Sequence, residues 1–295
     1  MRLATQSGAA PRALLLLSFL WSTAATALPL WQLTGTSNRI MVLGSIHFLR
    51  AGDYPLAPAI TAAFDGADIV LMEIDMDDLD AVGSARTVAA LARDSMGRTL
   101  PELLGRKAWR AALAQARGLG LDLATLSPFE PWYAAIVVTQ QRLTQLGFDQ
   151  SLGVESKLTA DARQRGKEIR GLETLESQLG ILDALSPDAQ RAFLKGTLDE
   201  ASEIGDAADG MIAAWKAGDV RALNADLLDS VRDQPELYRT LIVRRNEHFA
   251  RAIGKLVNDS RDYLIVVGTL HLVGQDSVLR MLDRAGIGSL QIDAD

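Results

Sequence analysis

Two stretches near opposite ends of the chain carry the same pattern of chemically useful residues. Ile40-Met41-Val42-Leu43-Gly44-Ser45-Ile46-His47 and Leu264-Ile265-Val266-Val267-Gly268-Thr269-Leu270-His271 each run through aliphatic residues to a glycine, a small hydroxyl residue, an apolar residue and a histidine. Imidazole exchanges its proton near neutral pH and is also a common metal ligand. The protein has 3 histidines and no cysteine, so thiol nucleophiles, iron–sulfur clusters and zinc ribbons are excluded. Any transition-metal site must be built from histidine and carboxylate. Glycine at a strand end, as at Gly44 and Gly268, lets the backbone turn sharply or approach a ligand closely. A histidine three residues on then projects beyond the strand, where open α/β sheets bind ligands. His47 and His271 are therefore read as a functional pair. His248, in Arg244-Arg245-Asn246-Glu247-His248-Phe249, reads as a solvated helix residue.

Several carboxylates could join them. Glu73 interrupts the apolar run Ile69-Val70-Leu71-Met72, and an acid at the end of a buried strand is costly unless paired, protonated or metal-bound. Asp75 is followed by Asp77, Asp78 and Asp80 and reads as part of a solvated acidic loop. Glu173 closes Ile169-Arg170-Gly171-Leu172, and Glu155 follows Gly153-Val154. Each could point into the same crevice or favour the start of the following helix. Arg245 and Asn246 follow an apolar segment, Leu237 to Val243. A partly buried Arg245 would want a carboxylate partner or a substrate anion.

Positioning these residues requires a sheet. Continuous aliphatic runs at 40–43, 69–74 and 264–267 predict strands buried on both faces, with short strands at 168–172 and 289–292. Helices are predicted over 55–67, 84–96, 101–117, 129–146, 155–166 and 275–285. Residues 174–258 read as almost wholly helical. The expected fold class is α/β, or α+β: a mixed, largely buried central sheet flanked by helices, with a mostly helical insertion or lid between its strands.

Composition sets the class of protein. With 48% apolar and 23% charged residues and a mean hydropathy of +0.09, the chain is neither disordered nor a multispan membrane protein. A net charge of −7 argues against a nucleic-acid partner. Arg2 and Arg12, the apolar run Ala13 to Trp21 and Ala25-Thr26-Ala27 read as a cleavable secretory leader over residues 1–27. The run is too short to span a bilayer comfortably. Cleavage after Ala27 removes both arginines, takes the net charge from −7 to −9, and leaves residues 28–295 as one exported, most simply periplasmic, domain.

The chain resembles the TraB / PrgY / GumN family, which includes the Tiki metalloproteases. The resemblance runs from Leu30-Trp31-Gln32 through Val42-Leu43-Gly44-Ser45-Ile46-His47, Glu73-Ile74-Asp75, Gly153-Val154-Glu155 and Gly171-Leu172-Glu173-Thr174 to Gln178-Leu179. It is completed by Arg245-Asn246 and Val267-Gly268-Thr269-Leu270-His271. One departure is Glu155, where the family pattern has Asp. The resemblance implies a fold similar to erythromycin esterase and the haem-binding protein ChaN. It also implies an active site containing both histidines and Glu73. Carried over from Tiki-like members, His47, His271 and Glu73 would hold a divalent metal (Mn, Co or Zn), with Glu173 or Glu155 as general base. Arg245 would stabilise an oxyanion and Asn246 orient the substrate. The expected function is a metal-dependent, peptidase-like hydrolase of a peptide or small molecule. Alternatives are a metal-free His/Glu hydrolase of a small ester, or a protein that only binds a peptide or haem.

Overall fold

The computed structural model describes residues 27–294, without the side chains of 226–231; the leader expected at residues 1–27 lies outside the described residues except for Ala27. Six strands form one sheet: β1 (Ala27–Thr34), β2 (Ile40–Ser45), β3 (Ile69–Ile74), β4 (Glu168–Glu173), β5 (Tyr263–Gly268) and β6 (Gly288–Asp293). Their order is β4-β3-β5-β2-β1-β6. The strands β4, β3, β5 and β2 are mutually parallel, so their carboxyl ends share one edge. β1 is antiparallel to both β2 and β6, which makes the sheet mixed, as expected of this α/β chain.

β1 was not among the predicted strands. Pro29 sits inside it, and its apolar residues follow directly on those of the expected leader, so nothing in the local pattern marks where one ends and the other begins. Its alternation places Leu28 and Leu30 on one face and Trp31 and Leu33 on the other. The helix expected over 101–117 is two helices, Leu100–Leu104 and Arg106–Gly118. Gly105 between them has φ +78°, a conformation that suits glycine and interrupts a helix.

Each sheet face is covered by an apolar layer. Met41, Leu43, Val70, Met72, Leu264 and Val266 pack on one face with Val154, Leu158 and Ala162 of the helix Val154–Arg165. Ile40, Val42, Ile69, Leu71, Ile265 and Val267 pack on the other with Phe249 and Ile253 of the helix Arg244–Gly254. The helices between β3 and β4 join those after β4 in a further apolar cluster that includes Leu100, Leu123, Val138, Leu194 and Leu198. Between β4 and β5 the chain is helical throughout. One part of it, Arg239–Val243, is π-helix, a widened turn common beside functional sites, directly before Arg244–Gly254.

The two glycine–histidine motifs lie on neighbouring strands but not level with each other. Gly44 pairs with Val267, and Ser45 with Gly268. A shift of one residue moves an equivalent side chain to the opposite face of a pleated sheet. Leu43 and its motif counterpart Val267 accordingly sit in opposite core layers.

Candidate active site

At the carboxyl edge the chain builds a buried charged cluster. Glu73, Arg245 and His271 are 8%, 8% and 3% exposed, and Asn246 is fully buried. One Glu73 oxygen accepts the Gly268 N–H at 2.6 Å. The other accepts from Arg245 Nη2 at 2.5 Å and from Gln178 Nε2 at 3.0 Å. Arg245 also donates through Nε and Nη2 to Glu173, and Gln178 donates to Glu173 at 3.0 Å. Arg245 Nη1 lies 3.0 Å from Nε2 of His271. Guanidinium is always a donor, so that ring nitrogen is the acceptor.

The rest of the network sets the tautomer. His271 Nδ1 meets Asn246 Oδ1 at 2.6 Å, and Asn246 Nδ2 donates to the Asp276 carbonyl at 2.6 Å. The Asn246 oxygen is therefore the acceptor and His271 carries its proton on Nδ1. Burial pushes the His271 pKa down to about 4, so the ring is neutral at pH 7. With His271 neutral, the positive charge next to Glu73 comes from Arg245. Burial alone would raise the Glu73 carboxyl, but the cationic surroundings and the Gly268 N–H hold it below the usual range. Burial raises Glu173, which receives less compensation.

His47 has a different environment. Its side chain is 60% exposed, and Nδ1 lies 2.9 Å from Glu155 Oε1. Ser45 also donates its hydroxyl to that oxygen. Val154 N–H donates to the Ile46 carbonyl at 3.0 Å, which docks the start of the Glu155 helix against the His47 turn. Attraction to Glu155 raises the His47 pKa to about 9, although solvent screens part of this at an exposed ring. The two matched histidines thus take opposite protonation states at pH 7.

Both motif glycines are closely approached by their neighbours. A Cβ on Gly268 would lie 3.2 Å from Glu73 Oε1, 3.7 Å from His271 Cδ2 and 3.9 Å from His47 Nε2; the three side chains converge on this glycine. A Cβ on Gly44 would lie 2.9 Å from Thr269 Oγ1 and 3.3 Å from Thr269 Cα.

The structure brings His47, Glu73, Glu155, Glu173, Arg245 and His271 to one edge, but it uses some of them differently from the expectation. Asn246 has no exposed surface and spends its amide on His271 and Asp276, so it orients a ring rather than a substrate. His248 is exposed, with Nε2 2.9 Å from the Leu172 carbonyl. Asp75 accepts from the Asp77 and Asp78 N–H groups in a turn. Sequence reasoning did not assign Ser45 or Gln178 to the site, although both stand inside the motifs that carry the resemblance.

The side chains expected to hold a metal make other contacts here. Among the described residues no group of three or more His, Asp or Glu side chains is placed to hold an ion. His271 Nε2, the atom that would bind one, already accepts from Arg245. A divalent ion beside Glu73 and His271 would also lie against the guanidinium charge. His47, His271 and Glu73 as arranged do not fit a metal; Arg245 is the cation of this cluster.

A sequence profile of the TraB/PrgY/gumN family matches residues 29–288. The chain belongs to this family. It is 24% identical to the uncharacterized protein YbaP of Escherichia coli (strain K12) over 255 residues, 86% of this chain and 92% of that one. It is 25% identical to an uncharacterized protein of Treponema pallidum (strain Nichols) over 173 residues, 57% of this chain and 50% of that one. No solved structure matches the chain.

In this TraB/PrgY/gumN-family protein the neutral His271 has a consequence for acid stability. Its folded pKa, about 4, lies below the ordinary value of about 6.5, so the unfolded chain binds more protons between those pH values. The stability it contributes is fully present above about pH 6.5 and is lost as pH falls toward 4, by about 3 kcal/mol. Urea unfolding across that range should show this decline, and His271→Gln should flatten it. A wild-type stability that does not change between pH 6.5 and 4 would refute the assignment.

Proposed function

We propose that this protein is an exported, most simply periplasmic, hydrolase of a peptide or small ester. One observation carries the reading: an exposed, charged His47 paired to Glu155 faces a buried Arg245 held between two carboxylates, and all of them meet at the strand ends where α/β sheets bind ligands. Among the described residues no helix is long and apolar enough to cross a membrane, which is compatible with export.

The proposed chemistry is acid–base. Arg245 has five N–H donors, and its contacts to Glu73, Glu173 and His271 leave one on Nη1 to stabilise a developing oxyanion. The other Glu155 oxygen, Oε2, is buried without a hydrogen-bond partner and takes a proton from the attacking water. The His47 imidazolium gives its Nε2 proton to the leaving group. The exposed His47 ring then regains its Nε2 proton from solvent, and Glu155 releases to solvent the proton it took, which restores both groups. No covalent intermediate is needed.

A metal-dependent reading has one observation in its favour. Nδ1 of both rings is held by a neighbouring side chain, as second partners commonly hold metal-ligating histidines. Hydrolysis of a fluorogenic peptide and ester panel, before and after exhaustive chelation and with Mn²⁺, Co²⁺ or Zn²⁺ added back, decides between them. Turnover that survives chelation is the expected result. Turnover abolished by chelation and restored by one metal would replace the acid–base reading, and no turnover by any route would leave a binding protein.

A further inference from the structure

Next to the charged cluster, the chain forms a groove of about 570 Å³ between the helix Leu175–Asp183 and the segment Pro235–Arg244, lined by Ser177, Gly180, Ile181, Arg239 and Arg244. It shares its walls with the candidate active site. Ser177 precedes Gln178, which bonds Glu73 and Glu173, and Arg244 precedes Arg245. The groove and the cluster are therefore adjacent along both helices, although the cluster side chains themselves do not line the groove.

Some surface arginines of this chain pair with a carboxylate and others, here as elsewhere, do not. In a chain of net charge −7, Arg50, Arg163, Arg165 and Arg191 each pair with a surface carboxylate. Arg239 and Arg244 are exposed and have no side-chain partner among the described residues. The acid that also lines the groove, Glu236, is committed elsewhere: its two oxygens accept the Ser186 N–H at 2.7 Å and the Ser186 hydroxyl at 2.6 Å. Gly180 keeps the opposite wall low, because a Cβ there would meet nothing within 4 Å. Two unpaired guanidinium groups over an open wall suit a carboxylate, which they can bind through paired N–H donors.

We infer that this groove is a substrate subsite for a carboxylate carried by the peptide chain, either an acidic side chain or a free C-terminus. The inference rests on the hydrolase reading for its purpose, but binding tests it separately from turnover. The probes are four acetylated hexapeptides, with Asp or Asn at one position and a free or amidated C-terminus. Their affinities are measured by calorimetry on the full mature chain carrying His47→Ala, with and without Arg239→Gln/Arg244→Gln.

The carboxylate-bearing peptides should bind about 10-fold or more tightly than the neutral one, and the Asp and C-terminal arms show which carboxylate is read. The double substitution should remove that preference and leave the neutral peptide's affinity and the unfolding temperature unchanged. Equal affinity for all four peptides, no binding of any, or a preference that survives the double substitution would overturn the subsite. A carboxylate preference found in a protein without turnover would instead overturn the hydrolase reading and keep the subsite.

Discussion

Replacing His47 by alanine should lower turnover by about 10²–10⁴-fold, the usual contribution of a positioned acid–base group, while lowering the unfolding midpoint only by what its screened ion pair with Glu155 contributes. The two expectations belong together. The ring is 60% exposed and fills no core space, so its removal creates no cavity. It is nevertheless the group whose Nε2 faces Gly268 and whose Nδ1 is fixed by Glu155. The pH profile gives a second test. Because the pKa of His47 is raised to about 9 by Glu155, its acid form persists above neutrality. Activity should fall on the basic side as pH rises through the raised pKa, not near the ordinary 6.5. Glu155→Gln removes the attraction and, as the base is lost with it, the effect is read on the His47 ring itself, whose NMR titration should move downward. Unchanged turnover in His47→Ala would remove this residue from the chemistry.

Arg245→Met should cost about 3–5 kcal/mol of stability, the range seen when one partner of a buried ion pair is deleted. Glu73 and Glu173 would both lose their cation in a site where their side chains are 10% and 7% exposed. The remaining hydrogen bonds from Gln178 and Gly268 cannot neutralise two carboxylates. Adding Glu173→Gln to the variant should recover part of the loss, because one of the uncompensated charges is then gone. Denaturant unfolding of the single and double variants measures both quantities. A loss below about 1 kcal/mol for Arg245→Met would mean that the cluster is solvated, as exposed pairs of that size are.

The Gly44–His47 and Gly268–His271 motifs were legible because they depend on local sequence. Aliphatic runs mark buried strands, glycine marks their ends, and the loops that follow such strands lie at one edge of a parallel sheet. Glu73 was legible for a related reason: an acid in an apolar strand needs a partner. The same local logic missed β1, whose Pro29 and apolar start blend into the expected leader, and it joined the two helices that Gly105 separates.

Local sequence suffices to place this protein among α/β chains of the TraB/PrgY/gumN family, with two histidines and Glu73 at strand ends. What the matched motifs become depends on how the strands pair. The one-residue offset between β2 and β5 puts equivalent positions on opposite faces. His47 consequently meets solvent and Glu155, and His271 meets Asn246 and burial. Arg245 reaches Glu73 from 172 residues away, a contact that no local pattern encodes. Chain-local rules specify strands and turns, whereas a side chain's charge state depends on neighbours and solvent that the register brings to it. The same near-repeat therefore yields one charged imidazole and one neutral one.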